Sequence, residues 1–239
     1  MPVLYELETT PVAHRNRAVV TRSAAVGGGL VLVVGIALVL VGLWWAALVL
    51  VTGIVGAGLW WWRTLPTRLL RSLGASPVDE ATHPRLHNVL AELCLGHGAT
   101  TPSLHVVDDP ACNVGSLGWR PIDAAIVVTT GLARELSPVE LEAVFAHELV
   151  RIHELTSLPV FVGSVFPPAR AWGAEVSPFD TDRQALAMTR YPPGMVAAYE
   201  KLARCGVTTR TSQGPIRSLW AFDGGPVTLA DRIEVLREL

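Results

Sequence analysis

Two adjacent residues, His147 and Glu148, have the types and the setting to do chemistry, inside the stretch Leu136–Glu154. In the H-E-x-x-H pattern, histidines at i and i+4 share one helical face and grip a Zn²⁺, while the glutamate between them polarises the bound water. Here the i+4 position is Arg151. A guanidinium stays protonated at any working pH and has no lone pair to offer a metal. His153 does not restore the pair, because six residues at roughly 100° per residue rotate it about 240° away from His147. Without a metal to acidify water, Glu148 is a weak general base.

The element that must carry these groups is well marked. Ser137 followed by Glu140 is a capping box, and Pro138 stands at the first helical position, where its missing N–H costs nothing. Leu141, Val144, Phe145, Leu149 and Ile152 then recur at the spacing of a buried stripe. A core-facing helix follows.

Half of the 239 residues are hydrophobic and the net charge is −2. That balance gives no electrostatic footprint for nucleic acid. Cys94, Cys112 and Cys205 are an odd number at wide spacing, which reads as free thiols in a reducing compartment.

The apolar excess is concentrated near the N-terminus. Residues 1–23 are polar, and the 39 residues from Ala24 to Trp62 carry no charge. As one straight helix that run would measure about 58 Å, nearly twice a hydrocarbon core of about 30 Å. Two spans are expected, Ala25–Val41 and Ala46–Trp62, joined by a turn at Gly42–Trp45. The run is too long and begins too late for a cleavable signal peptide. Arginines flank both outer ends and none lies in the turn, which puts both termini in the cytoplasm of an inner or plasma membrane. Gly27, Gly28, Gly29, Gly35, Gly53, Gly56 and Gly58 suit close helix packing. Residues 63–77 read as a linker, and 78–239 as a cytoplasmic domain.

In that domain His83-Pro84 opens an amphipathic helix to about Leu95. Leu104–Val107 and Ala124–Thr130 read as strands, with a turn-rich loop or hairpin between them. Helices are expected over Asp182–Thr189, over Pro193–Cys205 and from Thr228 to the end. Val207–Ser218 reads as a polar loop, and the apolar segment 158–168 is too short to span a bilayer.

The order of these parts, with "TTGLARELSPVELEAVFAHEL" and the closing "LADRIEVLREL", resembles the membrane zinc endopeptidases of the HtpX and CAAX prenyl protease family over most of residues 80–239. The resemblance implies a mainly α, zincin-like fold with a small β-sheet, α+β in class, preceded by a transmembrane helical hairpin. It implies zinc if the protein is active, with Glu148 as the catalytic residue and His147 as a ligand.

The third ligand of that family is a glutamate four residues before an aspartate. Aligning Asp182 with the aspartate leaves Pro178 in its place. A histidine often found before the final helix is also absent, since Gly225-Pro226-Val227-Thr228 stands there. Substitute ligands would have to come from His153, Glu175, Asp180 or Asp182. The expected function is a pseudopeptidase that binds no metal and keeps its groove for a membrane protein or extended peptide, besides the lipid bilayer. Arg151 is expected to fill the metal's volume and pair with Glu154, Glu148 or Asp180. The alternatives are an active zinc endopeptidase with relocated ligands and a structural subunit of a membrane complex.

Overall fold

The computed structural model describes residues 10–165, 167–174, 176–211, 214–223 and 227–238. The elements in chain order are α1 (Pro11–Leu40), α2 (Trp44–Ser72), β1 (Ser76–Pro77), α3 (Pro84–Gly96), β2 (Ser103–Val107), β3 (Val114–Leu117) and β4 (Ala125–Thr129). They continue as α4 (Thr130–Glu135), α5 (Pro138–His153), α6 (Leu158–Val165), α7 (Pro178–Thr189), α8 (Pro192–Cys205) and α9 (Leu229–Arg237). The fold is mainly helical, with one small sheet.

α1 and α2 form a hairpin that turns at Gly42, whose φ of +80° suits glycine. Both helices are long and apolar enough to cross a membrane, with 0% and 6% of their most apolar windows buried. Leucines left 68% and 80% exposed, as at Leu30 and Leu40, need a hydrocarbon phase. The chain is a membrane protein. The seven hairpin glycines do not mediate close packing: a Cβ added at any of them meets nothing within 4 Å.

Both helices also run further than the composition suggests. α1 starts at Pro11, capped by the Thr10 hydroxyl, so the polar N-terminal stretch is helical from there. α2 continues through Pro66 to Ser72, where the sequence reads as a linker. Pro66 lacks the N–H that would bond the Trp62 carbonyl one turn back. The indole Nε1–H of Trp119 supplies that bond at 2.8 Å, and the rings of Trp62 and Trp119 stack at 3.8 Å. A break is thereby avoided.

The sheet order is β1-β2-β4-β3, with β2 and β4 parallel and the outer pairings antiparallel. The expected strands are present, and the turn-rich loop holds β3 as a hairpin partner of β4. The two-residue β1 is too short to carry a periodicity. Alternation along β4 sends Ile126 and Val128 into a core with α3, α5, α8 and α9, and Ala125 and Val127 into a second core with Leu65, Leu73, Leu155 and Leu158. The sheet is therefore sandwiched between the helical domain and the base of the hairpin.

The cysteine reading is corrected. Cys112 and Cys205 form a disulfide with a Cα separation of 5.8 Å, and only Cys94 is free. The partners lie 93 residues apart, so spacing could not reveal them. Burial pushes the Cys94 thiol up to about 11.

Trp119→Phe should leave the Trp62 carbonyl orphaned and destabilise the hairpin–domain junction by about 1–3 kcal/mol. The check is a melting curve in detergent, with Trp119→Phe in a Pro66→Ala background as the control. Because an alanine in place of the proline restores the missing N–H, most of the loss should disappear there; an equal loss in both backgrounds would refute the assigned role.

Candidate functional site

α5 is the central helix, and His147 and Glu148 lie on it 3% and 0% exposed. Its start is the expected one: the Ser137 N–H donates to Glu140 at 2.7 Å, and Lys201 adds an ion pair to the same carboxylate at 2.7 Å. Packing on several sides leaves room for polar groups only where they find partners.

His147 finds them on both nitrogens. Nε2, the atom that would ligate a metal, lies 3.0 Å from Nη2 of Arg232, a residue of α9. A guanidinium only donates. Nε2 must therefore accept, the proton resides on Nδ1, and Nδ1–H donates to Glu148 Oε1 at 3.2 Å. Burial lowers the imidazole's pKa and keeps the ring neutral, against the opposing pull of Glu148.

Arg232 is itself 4% exposed. Its Nε donates to Asp182 Oδ2 at 2.7 Å, and the two hydrogens of Nη2 are shared among three acceptors, His147 Nε2, Asp182 Oδ1 at 2.5 Å and the Tyr199 hydroxyl at 2.8 Å. Its guanidinium carbon lies 4.7 Å from the Tyr199 ring centre and 4.9 Å from that of Phe222. Tyr199 donates to Asp182, closing the network. Burial works against the charge on Arg232, but Tyr199 and Asp182 hold it.

Arg151 has a different part. Its Nη1 lies 3.1 Å from each carboxylate oxygen of Glu148 and donates to the Leu219 carbonyl at 3.2 Å, while Nη2 donates to the Ser218 carbonyl at 3.3 Å. Burial pulls the Glu148 carboxyl upward, but Arg151 and His147 outweigh it and the group is pushed down to about 2. Of the partners expected for Arg151, Glu148 is the one it meets; the guanidinium beside the remnant ligand His147 is that of Arg232, to which the sequence reading assigns no such part. The closing Asp231-Arg232-Ile233 is legible as a family-like motif, but sequence alone does not show that the last helix folds back over α5.

The remaining candidates separate. Asp182 joins the cluster through Arg232, and Pro178 sits one turn earlier as the first residue of α7. Asp180 is on the surface, its side chain 58% exposed and paired with Arg183 at 3.0 Å. His153 lines a cavity under the hairpin with Trp62, Trp119 and Leu158. Glu154 does not meet Arg151: it accepts from Gln184 at 3.1 Å, and burial raises its pKa. Glu175, Gly225 and Pro226 lie outside the described residues.

The described residues do not fit a zinc ion. Among the described residues, no group of three or more His, Cys, Asp or Glu is arranged to hold a metal. Zinc needs a nitrogen lone pair at about 2.0–2.1 Å, and that of His147 is already engaged by a cation.

The edge strand beside α5 is also taken. Gly115 of β3 bridges to Trp220, the Ala221 N–H donates to the Val114 carbonyl at 2.8 Å, and the Phe222 N–H donates to Asn113 Oδ1 at 3.4 Å. Gly115 is required there, since a Cβ would meet the Leu219 carbonyl oxygen at 2.7 Å. A sheet edge is where an extended peptide can add; here the chain's own segment Leu219–Ala221 occupies it. The segment lies just past the polar loop, to which the sequence assigns no role.

Comparison with known proteins agrees with the resemblance over part of the chain. A Protease HtpX homolog from Caldanaerobacter subterraneus subsp. tengcongensis is 32% identical over 115 residues, 44% of this chain and 38% of that relative. A Protease HtpX homolog from Streptococcus pneumoniae (strain Taiwan19F-14) is 38% identical over 87 residues, 36% of this chain and 29% of that relative. The matched stretch thus spans well under half the length of these curated relatives. No family model and no solved structure matches the chain.

Arg232→Leu should cost about 3–5 kcal/mol, because it strands Asp182 as an unpaired buried charge. Asp182→Leu combined with Arg232→Leu should recover most of that loss, giving a large coupling energy in a double-mutant cycle. Additive losses in thermal unfolding would show that the pair is not coupled.

Proposed function

We propose that the chain is a membrane-anchored, HtpX-like pseudopeptidase: it keeps the metallopeptidase-type helix and groove but has exchanged metal binding for an internal ion-pair network. The observation that carries this reading is the 3.0 Å contact between Arg232 Nη2 and Nε2 of His147. The charges of Glu148 and Asp182 are balanced by Arg151 and Arg232, each through a direct contact. A divalent ion added to a balanced cluster would meet two guanidiniums. Glu148, held by Arg151, then serves the packing of the Leu219–Ala221 segment instead of activating water.

The role left to such a scaffold is binding. An extended peptide or a membrane protein segment would pair with β3 by exchanging with Leu219–Ala221, since both need the same carbonyl and N–H groups. The hairpin provides the anchor, with two spans. Arginine placement supports a cytoplasmic domain; in that compartment the Cys112–Cys205 bond would be a reversible one.

The test is proteolysis of an unfolded casein by the full chain in detergent, with and without zinc, beside Glu148→Gln. No cleavage by either protein is expected. Zinc-dependent cleavage that Glu148→Gln abolishes would show a working peptidase. In sealed inside-out vesicles an added protease should reach the domain; protection there would reverse the orientation.

A further inference from the structure

Three consecutive residues at the entrance to β3, Cys112, Asn113 and Val114, hold the chain both where it leaves α8 and where it returns along the sheet edge as Leu219–Ala221. At the outgoing end the Cys112 N–H donates to the Gly206 carbonyl at 2.8 Å, and the Asn113 side-chain amide donates to the Val207 carbonyl at 2.6 Å. At the returning end the Val114 carbonyl accepts the Ala221 N–H at 2.8 Å, and Asn113 Oδ1 accepts the Phe222 N–H at 3.4 Å. One fully buried amide, that of Asn113, therefore bridges the two ends.

The Cys112–Cys205 disulfide closes this arrangement covalently, one residue before Asn113 and one residue before Gly206. It fixes Gly206 and Val207 against the strand entrance. Asn113 Nδ2 thus keeps its acceptor, and the side chain stays turned with Oδ1 toward Phe222. With the bond open, the outgoing end is held by hydrogen bonds alone, those at Gly206, Val207 and Arg210, and water competes for each of them.

The bond can be reached from one side. Cys112 is 0% exposed, whereas Cys205, the last residue of α8, is partly exposed. Thiol–disulfide exchange needs access to one sulfur. The third cysteine does not interfere: burial pushes the Cys94 thiol up to about 11, so it stays protonated and inert toward exchange. In a cytoplasmic domain a disulfide is usually transient and redox-sensing.

We propose that Cys112–Cys205 is a redox latch on the β3 edge. Oxidised, it holds Leu219–Ala221 in place; reduced, it lets that segment leave and frees the edge. The inference rests on the cytoplasmic, peptide-binding reading given above and adds the condition under which exchange occurs. The reductant is a dithiol. Its thiolate attacks Cys205 Sγ, the S–S bond breaks, and Cys112 leaves as a thiolate that takes up a proton. The second thiol of the reductant then loses its proton, attacks the mixed disulfide and releases Cys205, which is protonated in turn. Two electrons pass to the protein, and the reductant ends as a disulfide.

The experiment is hydrogen exchange, read by mass spectrometry, on the full chain in detergent before reduction, after dithiothreitol and after reoxidation with diamide. The stretch 219–222 should exchange about tenfold faster in the reduced chain, with α5 unchanged, and regain its protection on reoxidation. Cys112→Ser combined with Cys205→Ser should match the reduced chain in either buffer. A fluorescent synthetic peptide copying residues 217–223 should bind the reduced chain about tenfold more tightly than the oxidised one, since apparent affinity follows the open fraction. Equal exchange in the two states, or a uniform rise that includes α5, would overturn the latch. The reduced wild-type chain decides this even where the double variant fails to fold. Faster exchange without peptide capture would uphold the latch and overturn the peptide-binding role assigned above.

Discussion

The contact on which the rest of the structure turns is the buried guanidinium of Arg232. It reaches from the last helix to Asp182 of α7, Tyr199 of α8 and His147 of α5, so one side chain joins four elements of the helical core. A buried arginine would be intolerable alone; here a bidentate carboxylate compensates its charge, and a phenol and a neutral imidazole add acceptors on the same side. The same contact gives His147 a structural task that needs no metal. The imidazole is needed as an acceptor for Arg232 and as a donor to Glu148.

A second set of contacts ties this core to the membrane hairpin. The Asn16 side-chain amide of α1 donates to the Glu154 carbonyl at the end of α5 at 2.9 Å, and its Oδ1 accepts the Ala174 N–H at 2.8 Å. Trp119 repairs the helical bond that Pro66 removes. Each is a buried polar group satisfied across the seam, so hairpin and domain are held by directional bonds as well as by apolar packing. The cavity at that seam is consequently a defined space rather than a gap between loosely tethered parts.

The parts of this architecture written in local pattern are legible in the sequence. The capping box and apolar stripe locate α5, charge-free length locates the hairpin, alternation locates β2, and a short apolar run locates β4. That Arg151 and Pro178 offer no side-chain lone pair to a metal can also be read directly, because ligand chemistry depends on residue type. Which cation meets His147 cannot. Arg232 stands 85 residues from His147, Cys112 stands 93 from Cys205, and nothing in local periodicity encodes such pairings. Arg151, four residues from His147, is the nearer cation in sequence, yet its own partner is Glu148, one turn back. The helical continuation through Pro66 is hidden for the same reason, since the compensating donor comes from Trp119.

On the proposed reading Arg232 closes the site to zinc by engaging Nε2 of His147. Elemental analysis of the native chain, purified in detergent without chelators, tests it most directly, beside a variant carrying Arg151→His, Pro178→Glu and Arg232→Leu. The native protein should be essentially free of zinc and the variant should take up about one zinc per chain, as a three-ligand site would. One tightly held zinc in the native protein, lost on mutating His147, would contradict it.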